Sequence, residues 1–264
     1  MQTTFITSIT AIALNTFRES VRNKILYSVL LFAILLVAIS ALFGSVTLGD
    51  KVRVVKDFGL FSVSFFGAII TMINGVTLLN KELKQKTVFN ILSKPVSRTE
   101  FVCGKYFGLV LTGLTLVTLM GVSVMIFVAF LEGKVDFLLL QAIFFTYLEV
   151  FIIASTVMFF SSIVVTTTLT GLFTFATYIA GKSISYLSYF LKESNESYNQ
   201  TLAVIIKIFD TVLPDLSSLN IINSIVYGQS TTLTHAINAT TYSLLYSTTL
   251  LILSILIFRK RDLI

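Results

Sequence analysis

Glu149 is the residue of this sequence whose chemistry is hardest to explain by packing alone, because it stands inside a long apolar run. An unpaired carboxylate in hydrocarbon costs considerable free energy or takes up a proton. Two interpretations are open: a proton or cation site, or a carboxyl group that is protonated or hydrogen-bonded by neighbouring helices. Because many secondary transporters spread several such groups over their spans and this chain has one, we favour the second. Glu149 is therefore kept as a candidate intramembrane polar site.

The other chemically reactive residue types exclude several kinds of site. The chain has one Cys, Cys103, and one His, His235, which excludes an intramolecular disulfide and a cysteine or multi-histidine metal cluster. Gly181-Lys182-Ser183 resembles the end of a phosphate-binding loop. Ala176, however, stands where that loop needs its first Gly, and an apolar run replaces the strand that should precede it. We expect no catalytic residue, no metal and no cofactor bound by this chain.

The composition of the chain indicates an integral membrane protein. It has 264 residues, of which 55% are hydrophobic and 12% charged, and its mean hydropathy is +0.92. Soluble domains carry about 25% charged residues, and here the apolar residues form the long runs that membrane spans require. The net charge of +6 fits basic cytoplasmic loops better than nucleic-acid binding. We therefore expect an all-α, multi-pass protein with no nucleic-acid partner.

Six apolar segments are long enough to cross a hydrocarbon core of about 30 Å. The predicted spans cover residues 25–43, 58–79, 106–131, 137–160, 163–180 and 236–258. Lys and Arg concentrate before the first span, between the second and third, and after the last. The positive-inside rule therefore predicts that both termini lie in the cytoplasm.

Two further segments have the pattern of surface helices. Residues 1–24 carry apolar side chains at helical spacing, opposite polar ones that include Arg18 and Arg22. This pattern is typical of an amphipathic helix in the membrane interface. The polar region 181–235, which the topology places outside, contains a second amphipathic segment at residues 198–213. We expect one surface helix on each side of the membrane.

The most informative segment is the basic loop 81–105 between the second and third spans. Its Lys and Arg residues surround a short run that contains Val88, Phe89, Ile91 and Leu92. Lysines that only held the loop in the cytoplasm would explain the charge but not these apolar side chains. We therefore interpret the run as a short helix on the cytoplasmic face that offers its apolar side chains to a partner.

Local patterns also predict how this loop ends. Ser97 and Glu100, which follow Pro95, form a capping-box pattern that predicts a helix start at Ser97, continuous with the third span. Gly104 and Gly108 are about one helical turn apart, which would let another helix approach closely.

The same residues resemble the first cytoplasmic loop of ABC-2 type permeases. Those loops carry an acidic residue, a Thr before an apolar helix, a P-V-S-R sequence and a G-K pair. The matching positions are Glu82, Thr87, Ile91-Leu92, Pro95-Val96-Ser97-Arg98 and Gly104-Lys105. The segment NTFRESVRNK before the first span is similar to the family's interface helix. The resemblance is specific over about residues 10–110 and is greatest with the branch that contains the permease of nitrous-oxide-reductase maturation.

The resemblance implies a half-transporter of the bacterial inner membrane, most often an exporter, without an ATPase of its own. Its partners would be two copies of an ATP-binding-cassette ATPase, which holds ATP and Mg, a second permease copy or paralogue, membrane lipid, and an accessory extracytoplasmic protein. A coupling helix between spans two and three would dock the ATPase through Glu82, Lys84, Lys86, Thr87, Val88, Phe89, Ile91, Leu92, Pro95 and Arg98. The alternative is a secondary transporter or channel that uses Glu149.

Overall fold

The computed structural model describes residues 2–23, 51–84, 97–164, 166–193 and 212–260, and six positions between 24 and 50 (Tyr27, Leu30, Leu31, Ile34, Leu35 and Ile39). Regular secondary structure in these ranges is helix, with no strand. The helices are α1 (Gln2–Val21), α2 (Lys51–Lys84), α3 (Arg98–Glu132), α4 (Leu138–Ile163), α5 (Thr167–Glu193), α6 (Ile222–Val226) and α7 (Leu233–Lys260). The predicted all-α class is confirmed.

Four of these helices are long and apolar enough to cross a membrane. They are the segments Lys51–Leu78, Arg98–Glu132, Leu138–Ile163 and Leu233–Lys260, with 28, 35, 26 and 28 residues. They correspond to the predicted spans 58–79, 106–131, 137–160 and 236–258. Helix α5 overlaps the predicted span 163–180 but is not among the four. The predicted span 25–43, apart from the six positions named above, and nearly all of the predicted helix 198–213 lie outside the described residues. The count of six spans therefore stays a prediction.

Helix α4 forms the centre of the bundle. It is apolar around its whole circumference, which is the pattern of a helix enclosed by others, and α2, α3, α5, α6 and α7 all pack against it. Phe145, Leu148 and Ile152 are each no more than 3% exposed. Near the end of α7, the Ser254 hydroxyl donates a hydrogen bond to the carbonyl oxygen of Met158 at 3.1 Å. The two ends of the bundle are named here the Arg98 end and the Glu132 end, after the first and last residues of α3.

Helix α1 crosses α3 near the Arg98 end, at the glycine pair that the sequence singles out. A Cβ atom added at Gly104 would lie 2.7 Å from Cβ of Ile12, and one added at Gly108 would lie 2.7 Å from the carbonyl oxygen of Ala13. Only glycine leaves room for such an approach, so the expected close helix contact is confirmed. A helix, α1, is present where the sequence predicts an interface helix, and its position in the interface stays a prediction.

The first boundary of α2 differs from the sequence prediction. Helix α2 begins at Lys51, although the predicted spans 25–43 and 58–79 leave residues 44–57 as a loop between them. Lys56 forms ion pairs with Glu132, the last residue of α3, and with Asp136 just beyond it, so its charge is neutralised by partners distant in the chain. Lys105 lies in the helix that the sequence predicts to start at Ser97; the sequence does not indicate that it is buried, at 2% exposed, with its ammonium 5.9 Å from the ring centroid of Phe101.

The turn between α4 and α5 also lies later than predicted. The sequence places it at Ser161-Ser162, but the Ser162 hydroxyl donates to the carbonyl oxygen of Phe159 at 2.7 Å, so both serines are accommodated within the helix. Helix α4 ends at Ile163, and α5 begins at Thr167. Because α5 continues to Glu193, Lys182 lies inside a helix rather than in an outer loop.

Candidate functional site

The predicted docking loop is only partly within the described residues. Residues 85–96 lie outside them, and these include the predicted docking residues Lys86, Thr87, Val88, Phe89, Ile91, Leu92 and Pro95. Glu82 and Lys84 belong to the last turn of α2, and Arg98 is the first residue of α3. The docking helix therefore stays a prediction, while the attachment of the loop to the bundle can be described.

The loop is followed by a capped helix start. The Glu100 backbone N–H donates to the Ser97 hydroxyl oxygen at 3.2 Å, and the Ser97 backbone N–H donates to the Glu100 carboxylate at 2.7 Å. These two bonds satisfy backbone donors that the first turn of a helix otherwise leaves unpaired. The capping box predicted from the sequence is confirmed, and it defines the residue at which the loop gives way to α3.

Arg98 fastens this helix start to the end of α7. Its guanidinium donates hydrogen bonds to the carbonyl oxygens of Phe258 at 3.2 Å and Arg259 at 3.1 Å. The last carbonyls of a helix lack intrahelical donors and carry partial negative charge, so a cation is well placed there. Phe101, on the next turn of α3, stacks on Phe258 with 5.8 Å between ring centroids. The exit of the loop is thus bound to α7 as well as to α3.

A group of three polar residues lies within the bundle, apart from the loop. It is named here the inner cluster and consists of Glu149 of α4, Lys182 of α5 and Ser64 of α2. The Glu149 carboxylate pairs with the Lys182 ammonium at 2.9 Å and accepts a hydrogen bond from the Ser64 hydroxyl at 2.8 Å. Lys182 in turn donates to the Ser64 oxygen at 3.3 Å. The Glu149 side chain is 4% exposed and that of Lys182 22%. Three helices are therefore joined by one charge-neutral cluster.

The inner cluster lies deep along the helix axes. At a rise of 1.5 Å per residue, Glu149 is about 16 Å from the start of α4 and Ser64 is about 20 Å from the start of α2. The hydrocarbon core of a bilayer is about 30 Å thick, and both residues lie near the middle of helices long enough to cross it. Whether Glu149 also takes part in transport stays a prediction.

Lys182 is the functional-site residue that sequence reasoning missed. The sequence ends the fifth span at Ala180 and assigns Lys182 to the outside, and it examines this lysine only as part of a phosphate-binding loop. The triplet 181–183 lies within helix α5, so it cannot form such a loop. The available signal was the isolated carboxylate itself: a buried Glu needs a partner, and a Lys just beyond a predicted span can reach back with its flexible side chain.

Another charged group lies at the Glu132 end. It is named here the outer cluster and consists of Lys56, Glu132 and Asp136. Lys56 of α2 pairs with Glu132 at 2.6 Å and with Asp136 at 2.7 Å. Asp136 also accepts a hydrogen bond from the Leu138 backbone N–H at 3.0 Å, at the start of α4. Burial by itself raises the pKa of Asp136, but the hydrogen bonds from Lys56 and Leu138 outweigh burial and lower that pKa below its ordinary value.

The clusters do not have the composition of a metal site. Among the residues that the structure describes, no group of three or more His, Cys, Asp or Glu side chains is arranged to hold a metal ion. The inner cluster neutralises its single carboxylate with a lysine, and a bound cation would have to displace that lysine. The two clusters can hold the helices that they join at fixed positions relative to one another.

Comparison with known proteins identifies the family. Residues 10–263 match the family model described as ABC-2 family transporter protein. No curated protein matches the chain. The match covers nearly the entire sequence, and the long apolar helices are those expected of a membrane-embedded transport component. The chain therefore belongs to the ABC-2 family of transporter proteins and is a membrane permease of that family.

Proposed function

We propose that this chain is the transmembrane subunit of an ABC exporter, in which a separate ATPase drives substrate movement or conformational force across the membrane. Family membership supports an ATP-binding-cassette partner. In the proposed topology the six predicted spans place both termini and the loop 81–105 in the cytoplasm, so that the Arg98 end faces the ATPase. Cysteine labelling tests the topology: a Cys at Lys51 that reacts only from the cytoplasm would contradict it.

The observation that carries this proposal is the way the loop joins the bundle. Directly after the loop, the capping box starts α3, Arg98 binds the end of α7, and Gly104 and Gly108 pack against α1. A displacement of the loop would therefore reach three helices within about three turns of α3. A loop that served only to connect two spans would need no such attachments.

Docking is assigned to the apolar residues of the loop. We propose that four apolar residues insert into a groove on the ATPase: Val88, Phe89, Ile91 and Leu92. Thr87 and Pro95 shape the docking loop, and Glu82, Lys84 and Lys86 lie at the polar rim of the contact. Arg98 was expected at that rim, but its guanidinium is bound to α7 carbonyls. We therefore reassign it to anchoring the loop. Interface free energy concentrates in a few desolvated anchors, whereas rim charges mostly affect orientation and association rate.

Phe89→Ala is the variant that tests docking. Phe89 is the aromatic residue of the apolar run, and truncating such an anchor typically costs about 2 kcal/mol, or roughly a thirty-fold loss of affinity. We expect the variant to insert into the membrane normally but to release the ATPase or uncouple hydrolysis from transport. Lys84→Ala, the matched rim variant, should have a smaller effect that weakens further at high salt. Wild-type transport and ATPase retention in Phe89→Ala would remove the loop from the mechanism.

The assembly is proposed to contain two permeases and two ATPases. The second permease is another copy or a paralogue, ATP and Mg are bound by the ATPase, and an accessory protein outside the membrane is compatible with the region 181–235. The proposed location is the bacterial inner membrane. The nitrous-oxide-reductase branch remains a resemblance of the sequence. Purification from native membranes followed by native mass spectrometry would measure the stoichiometry directly.

The alternative is a secondary transporter in which Glu149 carries the ion. The position of this carboxylate within the bundle favours it, but one carboxylate oxygen is ion-paired with Lys182 and the other accepts a hydrogen bond from Ser64, so a transported ion would have to displace the lysine. Ion flux in proteoliposomes separates the two functions. Flux that needs Glu149 but no ATPase would support the secondary transporter, whereas transport that stops without the ATPase supports the exporter.

A further inference from the structure

A large polar cavity lies between α1 and α2 at the Arg98 end, away from both ion clusters. Its volume is about 920 Å³, and it is lined by Asn15, Arg18, Glu19, Ser20, Arg22, Asn23, Asn74, Thr77 and Leu78. Small-molecule sites typically measure about 300–1,000 Å³, so the cavity can hold a ligand of that size. Nothing in the docking mechanism or in the inner cluster uses it.

Two buried polar groups of the lining await a partner. Asn74 is 3% exposed and Ser20 is 2% exposed. Within the part of the chain that the structure describes, the Asn74 side-chain nitrogen and the Ser20 hydroxyl have no hydrogen-bond partner. Buried polar groups of native proteins are nearly always satisfied, and an unsatisfied one calls for an explanation such as a bound ligand. Both groups can donate a hydrogen bond, so an acceptor-rich ligand would satisfy them.

The charged side chains that line the cavity favour a negatively charged ligand. Arg18 and Arg22 both line it, and both side chains are exposed, against one carboxylate, that of Glu19. Arginine binds phosphate oxygens through two parallel N–H groups, which makes it well suited to phosphate recognition. Two guanidinium groups, an amide N–H and a hydroxyl form a donor set suited to a phosphate group.

The position of the cavity indicates where the phosphate comes from. The cavity opens between the polar end of α1 and the last third of α2, where the apolar part of the span gives way to Lys81 and Lys84. Towards its other end, α1 exposes apolar side chains such as Phe5 and Ile6, which are 43% and 64% exposed. A helix of this kind lies in the interface, at the depth of the lipid headgroups. Basic pockets between membrane helices on the cytoplasmic side are known to bind anionic headgroups.

We propose that this cavity binds the phosphate of an anionic phospholipid headgroup, with Arg18 and Arg22 pairing with the phosphate and Asn74 and Ser20 donating hydrogen bonds to it. The bound lipid would connect α1 to α2 in addition to the direct contact of α1 with α3. The proposal goes beyond the docking function. It rests on the proposed topology for the cytoplasmic position of the cavity, but the binding itself can be measured in the purified permease without an ATPase.

The test compares lipids on the purified chain in detergent. Native mass spectrometry counts retained phosphatidylglycerol, and thermal unfolding is followed on adding phosphatidylglycerol, phosphatidylcholine or inorganic phosphate. We expect phosphatidylglycerol to be retained and to stabilise the wild type, with phosphatidylcholine much weaker. The double variant Arg18→Gln/Arg22→Gln should lower the phosphatidylglycerol affinity at least ten-fold, and Asn74→Ala about three-fold. Lys260→Gln, which removes a positive charge at the same end of the bundle outside the cavity, should leave the affinity unchanged.

Three results would overturn the proposal. A loss of affinity in Lys260→Gln as large as in the double arginine variant would mean unspecific attraction to the basic end. Equal stabilisation by inorganic phosphate alone would assign the cavity to a soluble anion rather than to a lipid. Equal affinity of Asn74→Ala and wild type would mean that the cavity is not the binding place. The melting temperature of each variant without added lipid shows whether the variant is folded, so that a change in lipid affinity can be distinguished from unfolding.

Discussion

The inner and outer clusters connect the same helix, α2, to its neighbours, yet they place charge in different surroundings. In the outer cluster the side chains of Lys56, Glu132 and Asp136 are 11%, 16% and 14% exposed. Those of Glu149 and Lys182 in the inner cluster are 4% and 22% exposed. The exposures overlap, but the outer groups lie at helix ends next to the 133–137 loop, and the inner groups lie halfway along three helices.

The comparison shows that fractional exposure alone does not measure how strongly a charge pair matters. The Coulomb energy of a pair depends on the surrounding dielectric, and this rises from the middle of a bundle towards water. Each cluster also has its own charge balance. The inner cluster is neutral, with one Lys and one Glu, whereas the outer cluster has one Lys between two carboxylates. Loss of Lys56 leaves two carboxylates without a cation, but they lie near the end of the bundle, where the dielectric is higher. We therefore expect the loss of the lysine to be severe inside and milder outside.

The largest expected effect comes from Lys182→Met, which leaves Glu149 without its cation. Breaking a buried ion pair by removing one partner costs about 3 kcal/mol or more, because the remaining charge is uncompensated. We expect that loss in the free energy of unfolding, measured by denaturant titration of the purified protein in mixed micelles. The double variant Glu149→Leu/Lys182→Met should recover most of it, because apolar replacements of both partners are often nearly neutral. Equal losses in the single and double variants would contradict the ion-pair explanation.

Lys56→Met, the corresponding change in the outer cluster, should have a smaller effect. Pairs near water typically contribute up to about 1 kcal/mol, so we expect a loss of about that size. The loss should shrink as salt is raised, since ions screen charges at the bundle end, whereas that of Lys182→Met should hardly change. Lys134→Met removes a charge from an exposed side chain of the same loop; it acts on Asp136 only through a weaker Coulomb attraction, so its loss should be smaller than that of Lys56→Met. A salt-independent loss in Lys56→Met would place the outer cluster in the same class as the inner one.

The smallest expected effect is the pH dependence that arises from Asp136. Its pKa is lower in the folded protein than the ordinary value of about 3.9. The unfolded chain therefore binds the proton first as the pH falls. The stabilisation is complete above about pH 4 and is lost as the pH falls through the folded pKa. In Lys56→Met this acid step should be reduced, because the main cause of the low pKa is gone. Unfolding midpoints between about pH 5 and pH 3 measure it, and an unchanged step would contradict the assignment.

The sequence predicts features that depend on neighbouring residues and misses those that depend on distant ones. The capping box at Ser97 and Glu100 and the glycine pair at 104 and 108 are local patterns, and the structure has both. The helical state of residues 51–57 depends on partners far along the chain, so composition alone predicts a loop there, and the burial of Lys105 within the predicted helix is likewise a property of the packed bundle.

The same reason explains the incomplete prediction of the candidate site. Glu149 is recognisable because one charge in an apolar run is conspicuous in the sequence. Lys182 is not, since nothing local distinguishes a lysine just beyond a predicted span from a lysine that extends the helix and turns inward. The apolar pattern also places Ser64 in a span without indicating that its hydroxyl faces Glu149. Pairing across three helices is a property of the packed bundle.

The crossing of α1 over α3 has a consequence for the order of synthesis. Ile12 and Ala13 leave the ribosome long before Gly104 and Gly108, and all of α2 is made between them. During that interval α3, the helix on which α1 packs, has not yet been made, so the lipid surface can hold the apolar side chains of α1. An amphipathic first helix suits this interval better than a wholly apolar one, because an amphipathic helix stays at the membrane surface without inserting. A substitution that enlarges Gly108 would therefore leave α1 in this early, surface-bound state even after the last helix has been made.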